Sequence, residues 1–249
     1  MLKIILTLTA IFLCTTTHAE QINLHWLNAD GSTYSESTCT VNGDLIIPST
    51  PPTKYGYTFT GWKFSNYTPI EYIESTGTQW IDTGAIMYAN VRTNIIISLA
   101  LTSNMSNTSI FGAQQGNARS ILSFNGAVYC GDGSRRLYYS LSQNEKHQIS
   151  VEYNSTNLTL YIDQEYQGET ATYGQFASNT FSIFKINGGD GVFIGKIYSF
   201  KYLINNILVR DFIPVLDMNG TPCMFDKVEG KFYYNAGTGD FIAGPVIAW

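Results

Sequence analysis

Charged residues are scarce in this chain: they make up 13% of the 249 residues, and the formal net charge is −5. Binding to nucleic acid rests on neutralising phosphates with Lys and Arg. The 14 basic residues here are outnumbered by 19 acidic ones and form no extended cluster. The composition therefore argues against a nucleic-acid partner.

Cysteine and histidine are also rare, with four and three copies. No Cys-x-x-Cys pair is present, so a zinc site is not expected. If an N-terminal leader is removed, Cys14 is lost and Cys39, Cys130 and Cys223 remain. Three cysteines in an oxidising compartment permit one disulfide, and the sequence leaves its pairing open.

An apolar run long enough to cross a membrane is missing. Residues 4–13 are mostly apolar, but this is about half of the roughly 20 residues that a spanning helix needs. Lys3 precedes the run, and small or polar residues follow it up to Ala19. This pattern is typical of a secretory signal peptide. The sequence predicts a signal peptide at 1–19, cleavage after Ala19, a secreted or cell-surface location and no membrane span in the mature chain.

Aromatic residues (14%) and 22 glycines are what the chain has in quantity. Apolar residues alternate with polar ones over 91–101, 149–153 and 158–162, and the last two stretches form a predicted antiparallel hairpin. No sustained helical period follows the leader. About ten short strands parted by turn residues predict an all-β protein with two packed antiparallel sheets.

The first segment of the mature chain is short and aromatic. Ile22, Leu24 and Trp26 alternate up to a turn at residues 28–31, and a proline-containing loop leads to Gly56-Tyr57-Thr58-Phe59-Thr60-Gly61-Trp62. That signature resembles the Listeria–Bacteroides repeat, also called the internalin B-repeat. The resemblance implies a small β-grasp-like module at 20–66 with a spacer or interaction role.

The rest of the chain carries four ordered motifs: YIESTGTQWIDTG, LTLYIDQEYQGE, GKIYSFKYLINNILVRDFIPV and FDKVEGKFYYNAGTGDFIAGP. Together they resemble the laminin-G-like, concanavalin A-like domains of bacterial surface proteins and phage structural proteins. The resemblance implies a two-sheet antiparallel jelly-roll sandwich over 69–245. Many relatives have Asp-Gly where this chain has Asp163-Gln164, which predicts a longer or differently shaped turn.

One tripeptide, Asp82-Thr83-Gly84, matches the motif of aspartic proteases. Those enzymes need two carboxylates that share a proton, and this chain has a single copy of the tripeptide. We interpret it as a turn that ends a strand, with Trp80 pointing inward and Ile81 pointing outward or into the opposite layer.

Glycoside hydrolysis needs a pair of carboxyl groups about 5–9 Å apart. Glu71 and Glu74 would lie on opposite faces of a strand, and Asp163 and Glu165 fall at a predicted turn. The Glu-x-Asp-x-x-Glu pattern of sandwich-fold glucanases is absent. The sequence therefore predicts a protein that is not an enzyme, and a divergent glycoside hydrolase is the weaker alternative.

The best candidate for ligand binding is the segment 129–139, a glycine-containing stretch interpreted as a loop. Aromatic faces and planar hydrogen-bonding groups are what bound sugars need. The candidate site residues are Tyr129, Asp132, Arg135, Arg136 and Tyr138. The alternative is that these tyrosines pack in the protein core.

No cofactor is expected, although calcium stays open because Asn187 and Asp190 flank a glycine-rich loop with oxygen ligands. The alternative for that loop is a tight turn. The function predicted from the resemblance is non-catalytic recognition of extracellular glycans or surface proteins. The alternative from another class is a structural spacer or assembly module without a small ligand.

Overall fold

In this computed structural model the chain divides into two compact units. Unit 1 contains Met1–Glu71, Val215–Thr221 and Pro245–Trp249, and unit 2 contains Tyr72–Pro214 and Pro222–Gly244. The structure describes residues 2–11, 21–27, 33–40, 48–51, 53, 57–65, 67–86, 91–103, 108–113, 119–124, 127–132, 135–154, 156–171, 180–188 and 191–247.

Unit 1 holds a four-stranded sheet and one short strand. The strands are β1 (Leu2–Ile11), β2 (Gln21–Leu27), β3 (Thr33–Thr40), β4 (Tyr57–Ser65) and β5 (Tyr67–Pro69), and the sheet order is β3-β2-β1-β4. β2 and β3 pair antiparallel, so the strand predicted from Ile22, Leu24 and Trp26 is confirmed. Trp26 is buried, and its indole Nε1 donates to Ser37 Oγ at 2.9 Å, which satisfies the one polar group of the side chain.

The residues of the predicted leader take part in this sheet. In the full chain β1 pairs antiparallel with β2 and parallel with β4. Its sequence, LKIILTLTAI, also alternates in the way that a strand requires. Cleavage after Ala19 stays a prediction, and it would take β1 out of the centre of the sheet.

Unit 2 is built entirely from strands in its described part. They are β6 (Ile73–Thr76), β7 (Ile81–Ile86), β8 (Thr93–Leu101), β9 (Thr108–Ala113), β10 (Arg119–Phe124), β11 (Ala127–Asp132), β12 (Arg135–Ser140), β13 (His147–Tyr153), β14 (Asn157–Ile162), β15 (Glu165–Ala171), β16 (Thr180–Ile183), β17 (Ile186–Asn187), β18 (Ile194–Ile204), β19 (Ile207–Asp217), β20 (Pro222–Asp226), β21 (Lys231–Tyr233) and β22 (Ile242–Ala243). β19 continues into unit 1, where its last residues pair with β5.

Two sheets result. The smaller has the order β12-β11-β10-β9-β16-β7, with β17 beside β9. The larger has the order β15-β14-β13-β8-β18-β19-β20-β21, and β6 pairs with the first half of β18 and also with β22. The two-sheet, all-β architecture is the one predicted.

Phenylalanine rings join the two sheets of unit 2. Phe200 of the larger sheet lies 5.8 Å from Phe111 and 5.7 Å from Phe181 of the smaller sheet, measured between ring centroids. On β8, Ile95, Ile97 and Leu99 are fully buried. Period-two apolar residues therefore face inward from both sheets, which forms the interior of a sandwich.

The first and last motifs of unit 2 contact each other. Asn235 Oδ1 accepts hydrogen bonds from the backbone N–H of Trp80 at 3.0 Å and of Gly237 at 2.8 Å. A Cβ on Gly237 would lie 1.9 Å from the carbonyl oxygen of Thr78, so the close approach requires glycine. The resemblance motifs at the two ends of unit 2 thus close the sandwich.

Two local predictions were wrong. Asp163 and Gln164 form a two-residue turn, with φ of 50° and 72°, instead of a longer one. Positive φ at both positions is the combination found in tight type I′ hairpins, which Asp tolerates. Residues 129–139 are not a loop: most belong to the hairpin β11–β12.

Candidate functional site

Tyr129 and Tyr138 face each other across the hairpin β11–β12. They are register partners, and their ring centroids lie 5.5 Å apart with an interplanar angle of 43°. Val128 and Cys130, on either side of Tyr129, are buried. Strand alternation therefore turns the tyrosine pair away from the interior. Tyr138 is 65% exposed, so the pair is a surface feature and not part of the core.

The other predicted site residues lie at the turn end of the same hairpin. Asp132 is the register partner of Arg135, and Gly131 is the partner of Arg136. The side chains of Asp132, Arg135 and Arg136 lie outside the described residues. The backbone thus brings all five predicted residues to one hairpin, with Arg136 two positions from Tyr138.

A second tyrosine pair lies on the larger sheet, and our sequence analysis missed it. Tyr161 of β14 and Tyr166 of β15 are register partners with ring centroids 5.9 Å apart, in a T-shaped arrangement. Leu160 and Ile162 are buried, whereas Tyr166 is 61% exposed. The signal was present in the motif LTLYIDQEYQGE, because Tyr161 occupies the polar phase of an alternating strand.

Two further tyrosines, Tyr72 just before β6 and Tyr198 of β18, have occupied ring faces. Lys196 Nζ lies 4.2 Å from the ring centroid of Tyr72, and Lys146 Nζ lies 4.4 Å from that of Tyr198. A hydrogen bond with Tyr72 raises the pKa of Lys196, which keeps the ammonium charged. Because cations cover these faces, the rings are less available to a ligand than Tyr138 and Tyr166 are.

Asp82 has a local structural role. Its Oδ1 accepts a hydrogen bond from Gly84 N–H at 3.0 Å, and Gly84 has a φ of 65°, which is an Asx-type turn within β7. Thr83 Oγ1 donates to the carbonyl of Phe181 at 2.6 Å. Two parts of our interpretation were wrong: the tripeptide lies inside β7 and does not end a strand, and Trp80 is half-buried with Lys185 over its ring. Ile81 is fully buried, which agrees with the alternative that it points into the opposite layer.

Arg210 of β19 organises a polar network at the end of unit 2. Its Nη1 lies 2.6 Å from Glu229 Oε1, and its Nε lies 3.6 Å from Asp226 Oδ2. The same Nε donates to the carbonyl of Thr83 at 3.2 Å. Asp226 is fully buried, and its Oδ1 accepts from the backbone N–H of Asp211 and Val228. These contacts connect β7, β19 and the β20–β21 turn.

Tyr233 and Glu229 complete the network. Tyr233 Oη donates to Glu229 Oε2 at 2.7 Å. This hydrogen bond, together with Arg210 and Lys231, lowers the pKa of Glu229 despite partial burial. Burial, followed by the bond to Glu229, raises the pKa of Tyr233 to about 12. At neutral pH the carboxylate is therefore charged and the phenol is neutral, which suits a structural donor and acceptor.

Asp163, one of the carboxylates considered for hydrolysis, has partners on β13. Asp163 Oδ1 accepts from Gln148 N–H at 2.7 Å, and its Oδ2 lies 2.7 Å from His147 Nδ1. Burial alone would raise the pKa of Asp163, but these hydrogen bonds outweigh it and the net shift is downward. A general acid needs a raised pKa, so Asp163 is unsuited to that role.

Among the described residues, no three His, Cys, Asp or Glu side chains come together in a way that would hold a metal ion. Asn187, by contrast, donates through Nδ2 to the carbonyl of Thr180 at 2.7 Å. Asp190 of the same predicted calcium loop lies outside the described residues. Cys130 and Cys223 are buried; the side chain of Cys39 also lies outside the described part.

No protein-family model matches this sequence, and no curated protein matches it. Solved structures match in fold. A protein from Bacteroides ovatus assigned to carbohydrate binding aligns with a TM-score of 0.52 and 12% identity, over 91% of this chain and 68% of that one. Mouse laminin α1 domains LG4-5 align with a TM-score of 0.46 and 10% identity, over 92% of this chain and 56% of theirs.

Domain 4 of AbnA, an extracellular arabinanase from Geobacillus stearothermophilus solved with arabinotriose, aligns at a TM-score of 0.38 and 12% identity. The alignment covers 47% of this chain and 61% of that domain. The chain thus spans less than two thirds of the arabinanase domain and of the laminin fragment. At 12% identity the Bacteroides likeness supports the fold alone, an all-β jelly-roll sandwich, and function must be argued from the site. The internalin B-repeat stays a prediction for residues 20–66.

In the described chain no helix is long and apolar enough to cross a membrane.

Proposed function

We propose that this chain is a secreted, non-catalytic recognition protein that binds extracellular glycans through the Tyr129–Tyr138 surface, which comprises Tyr129, Asp132, Arg135, Arg136 and Tyr138. The observation that carries the proposal is the exposed cross-strand ring pair on β11 and β12. The exposed part of the Tyr138 ring offers a flat apolar face to sugar C–H groups.

The position of the pair favours a ligand over a structural role. β12 ends the smaller sheet and contacts β15 of the larger sheet along that edge, so a ligand would reach the exposed face of Tyr138 and not the strand edge. Gly131 is the next residue of β11 on the same face as Tyr129, and it adds no side chain beside the ring. Arginines at the turn end supply planar donors, which bind sugar hydroxyls or carboxylates in a fixed geometry.

A glycan-array screen of the full chain, with and without calcium, tests this function. The partner sample is the triple variant Arg135→Ala, Arg136→Ala and Tyr138→Ala. We expect reproducible binding by the wild type that the triple variant loses while its unfolding midpoint is retained. Calcium dependence of that binding would assign a metal to the site.

If the wild type binds no glycan on the array with or without calcium, the alternative of a spacer or protein-interaction module is favoured. Secretion is a separate part of the proposal. N-terminal sequencing of the protein recovered outside the expressing cells is expected to start at Glu20, whereas recovery of the intact N-terminus would retain β1 and reject the leader.

A further inference from the structure

The larger sheet carries two neighbouring rows of side chains on the face turned away from the core. Pairing of β8, β13, β14 and β15 sets both rows. The first row is Asn94, Glu152, Thr159 and Glu169, and the second is Ile96, Ser150, Tyr161 and Tyr166. The residues between them, such as Ile95, Val151 and Leu160, are buried. We call these eight residues the two-row surface.

Hydrogen bonds hold the carboxylates of the first row in place. Glu152 accepts from Arg92 Nη2 at 3.2 Å and from Asn94 Nδ2 at 3.3 Å. Glu169 accepts from Thr159 Oγ1 and from Asn157 Nδ2. A carboxylate has about four acceptor positions, so each group keeps capacity for further donors. Fixed acceptors bind ligand hydroxyls with a small entropic cost.

The second row adds an aromatic face next to these acceptors. Tyr166 is 61% exposed and touches Tyr161 edge-on, an arrangement that leaves ring surface in solvent. Ser150, also in this row, donates to Asn94 Oδ1 at 3.0 Å. Carboxylates that can accept hydrogen bonds from ligand hydroxyls lie beside an exposed ring. This combination matches a pyranose or furanose, which has hydroxyls at its edge and C–H groups on its face.

The charge and the length of the two-row surface restrict the class of ligand that fits it. Arg92 pairs with Glu152, whereas Glu169 accepts from the neutral donors Asn157 and Thr159. The carboxylate of Glu169 therefore disfavours an acidic ligand. Four strands about 4.8 Å apart span ~14 Å across the sheet. A glycan that follows the rows is therefore neutral rather than acidic, and it extends over more than one sugar.

We propose that the two-row surface is a second binding site, which takes a neutral glycan chain lying across β8, β13, β14 and β15. It lies on the sheet opposite the Tyr129–Tyr138 surface and uses none of its residues. The second site takes the same class of ligand as the Tyr129–Tyr138 surface, and in that respect it rests on the proposed function. A protein with both sites binds two glycan segments at once.

Isothermal titration of the full chain tests the second site. The probes are neutral tetrasaccharides of glucose, xylose, mannose and arabinose, with a tetragalacturonate as the acidic counterpart. We expect one neutral probe to bind, and Tyr166→Ala to weaken that binding about tenfold or more. Glu169→Gln, which keeps the shape and removes the charge, is expected to weaken it less. Tyr138→Ala is expected to leave it within about twofold.

Tyr198→Ala is the matched control, since it removes a tyrosine from the same sheet face whose ring Lys146 already covers. Unchanged affinity in both Tyr166→Ala and Glu169→Gln, or no binding of any neutral tetrasaccharide, overturns the second site. Binding on the array that is lost only with Tyr138→Ala would then leave the proposed function standing. If Tyr198→Ala lowers the affinity as much as Tyr166→Ala does, the two-row surface is also rejected as the second site.

Discussion

The Arg210 network and the two tyrosine surfaces contain similar side chains, but these side chains have different roles. In the network, the Tyr233 hydroxyl, the Glu229 carboxylate and the Arg210 guanidinium all have protein partners. On the surfaces, Tyr138 and Tyr166 are mostly exposed. Full engagement makes a polar group structural, whereas spare ring area and acceptor capacity make it available to a ligand.

The largest expected effect on stability comes from removing the central cation of the network. Arg210→Met leaves the buried Asp226 carboxylate without its counter-charge, which lowers the free energy of unfolding by about 3–5 kcal/mol. Arg92→Met is the control, because the Arg92–Glu152 pair is exposed and its loss costs at most about 1 kcal/mol. Denaturant titration measures both. Equal, small losses would show that the network is not structural.

A smaller loss is expected where the end motifs meet. Asn235→Ala removes the acceptor for two backbone N–H groups and the donor to the Gly239 carbonyl, at a cost of about 1–3 kcal/mol. Asn154 caps an exposed turn with three similar bonds, so Asn154→Ala is the matched control, with an expected cost under about 1 kcal/mol. Thermal or denaturant unfolding compares them. A greater loss at Asn154 would contradict the role given to the end motifs.

The network also predicts a dependence of stability on alkaline pH. The pKa of Tyr233 is raised in the folded state to about 12, from an unfolded value of about 10. Its contribution is therefore fully present below pH ~10 and is lost as the pH rises toward 12. Tyr233→Phe is expected to remove this part of the alkaline loss. Unfolding free energies of wild type and variant that fall in parallel over this range would refute it.

Asp163 predicts a dependence of stability on acidic pH. Its pKa is lowered in the folded state, so its stabilisation is present above the unfolded pKa of about 3.9 and is lost as the pH falls below it. Asp163→Asn is expected to flatten the stability curve below pH ~4. Urea titrations at pH 3 and pH 6 measure the difference, and an unchanged slope in the variant would remove Asp163 from the account.

The smallest effects on stability are expected at the two surfaces. Tyr138→Ala and Tyr166→Ala remove rings that pack little, so each is expected to change the free energy of unfolding by about 0.5–1 kcal/mol or less. Losses near those of Arg210→Met would show that the rings are structural.

The sequence predicted the fold well where one physical signal dominated. Alternation in β8 and in the β13–β14 hairpin predicted strands that the structure confirms, because one buried face imposes a period of two. It failed at residues 129–139, where two glycines suggested a loop. Cross-strand pairing of Tyr129 with Tyr138 is a long-range preference that local composition does not report.

The candidate site was predicted in part. Tyr129 and Tyr138 were named from residue type, but their shared face depends on the register of the hairpin. Tyr161 and Tyr166 were overlooked because two residues in a tight turn bring them opposite each other. The rows on the larger sheet combine residues from four strands, and a single sequence holds no direct record of that pairing.

The most direct test of the central claim is the glycan-array signal of Tyr138→Ala, measured beside the wild type at matched unfolding midpoints. The account predicts that the wild type binds and that the variant loses its signal without losing stability. A variant that binds as the wild type does, or a wild type that binds nothing, would contradict the claim that the exposed tyrosine pair on β11 and β12 is a recognition site.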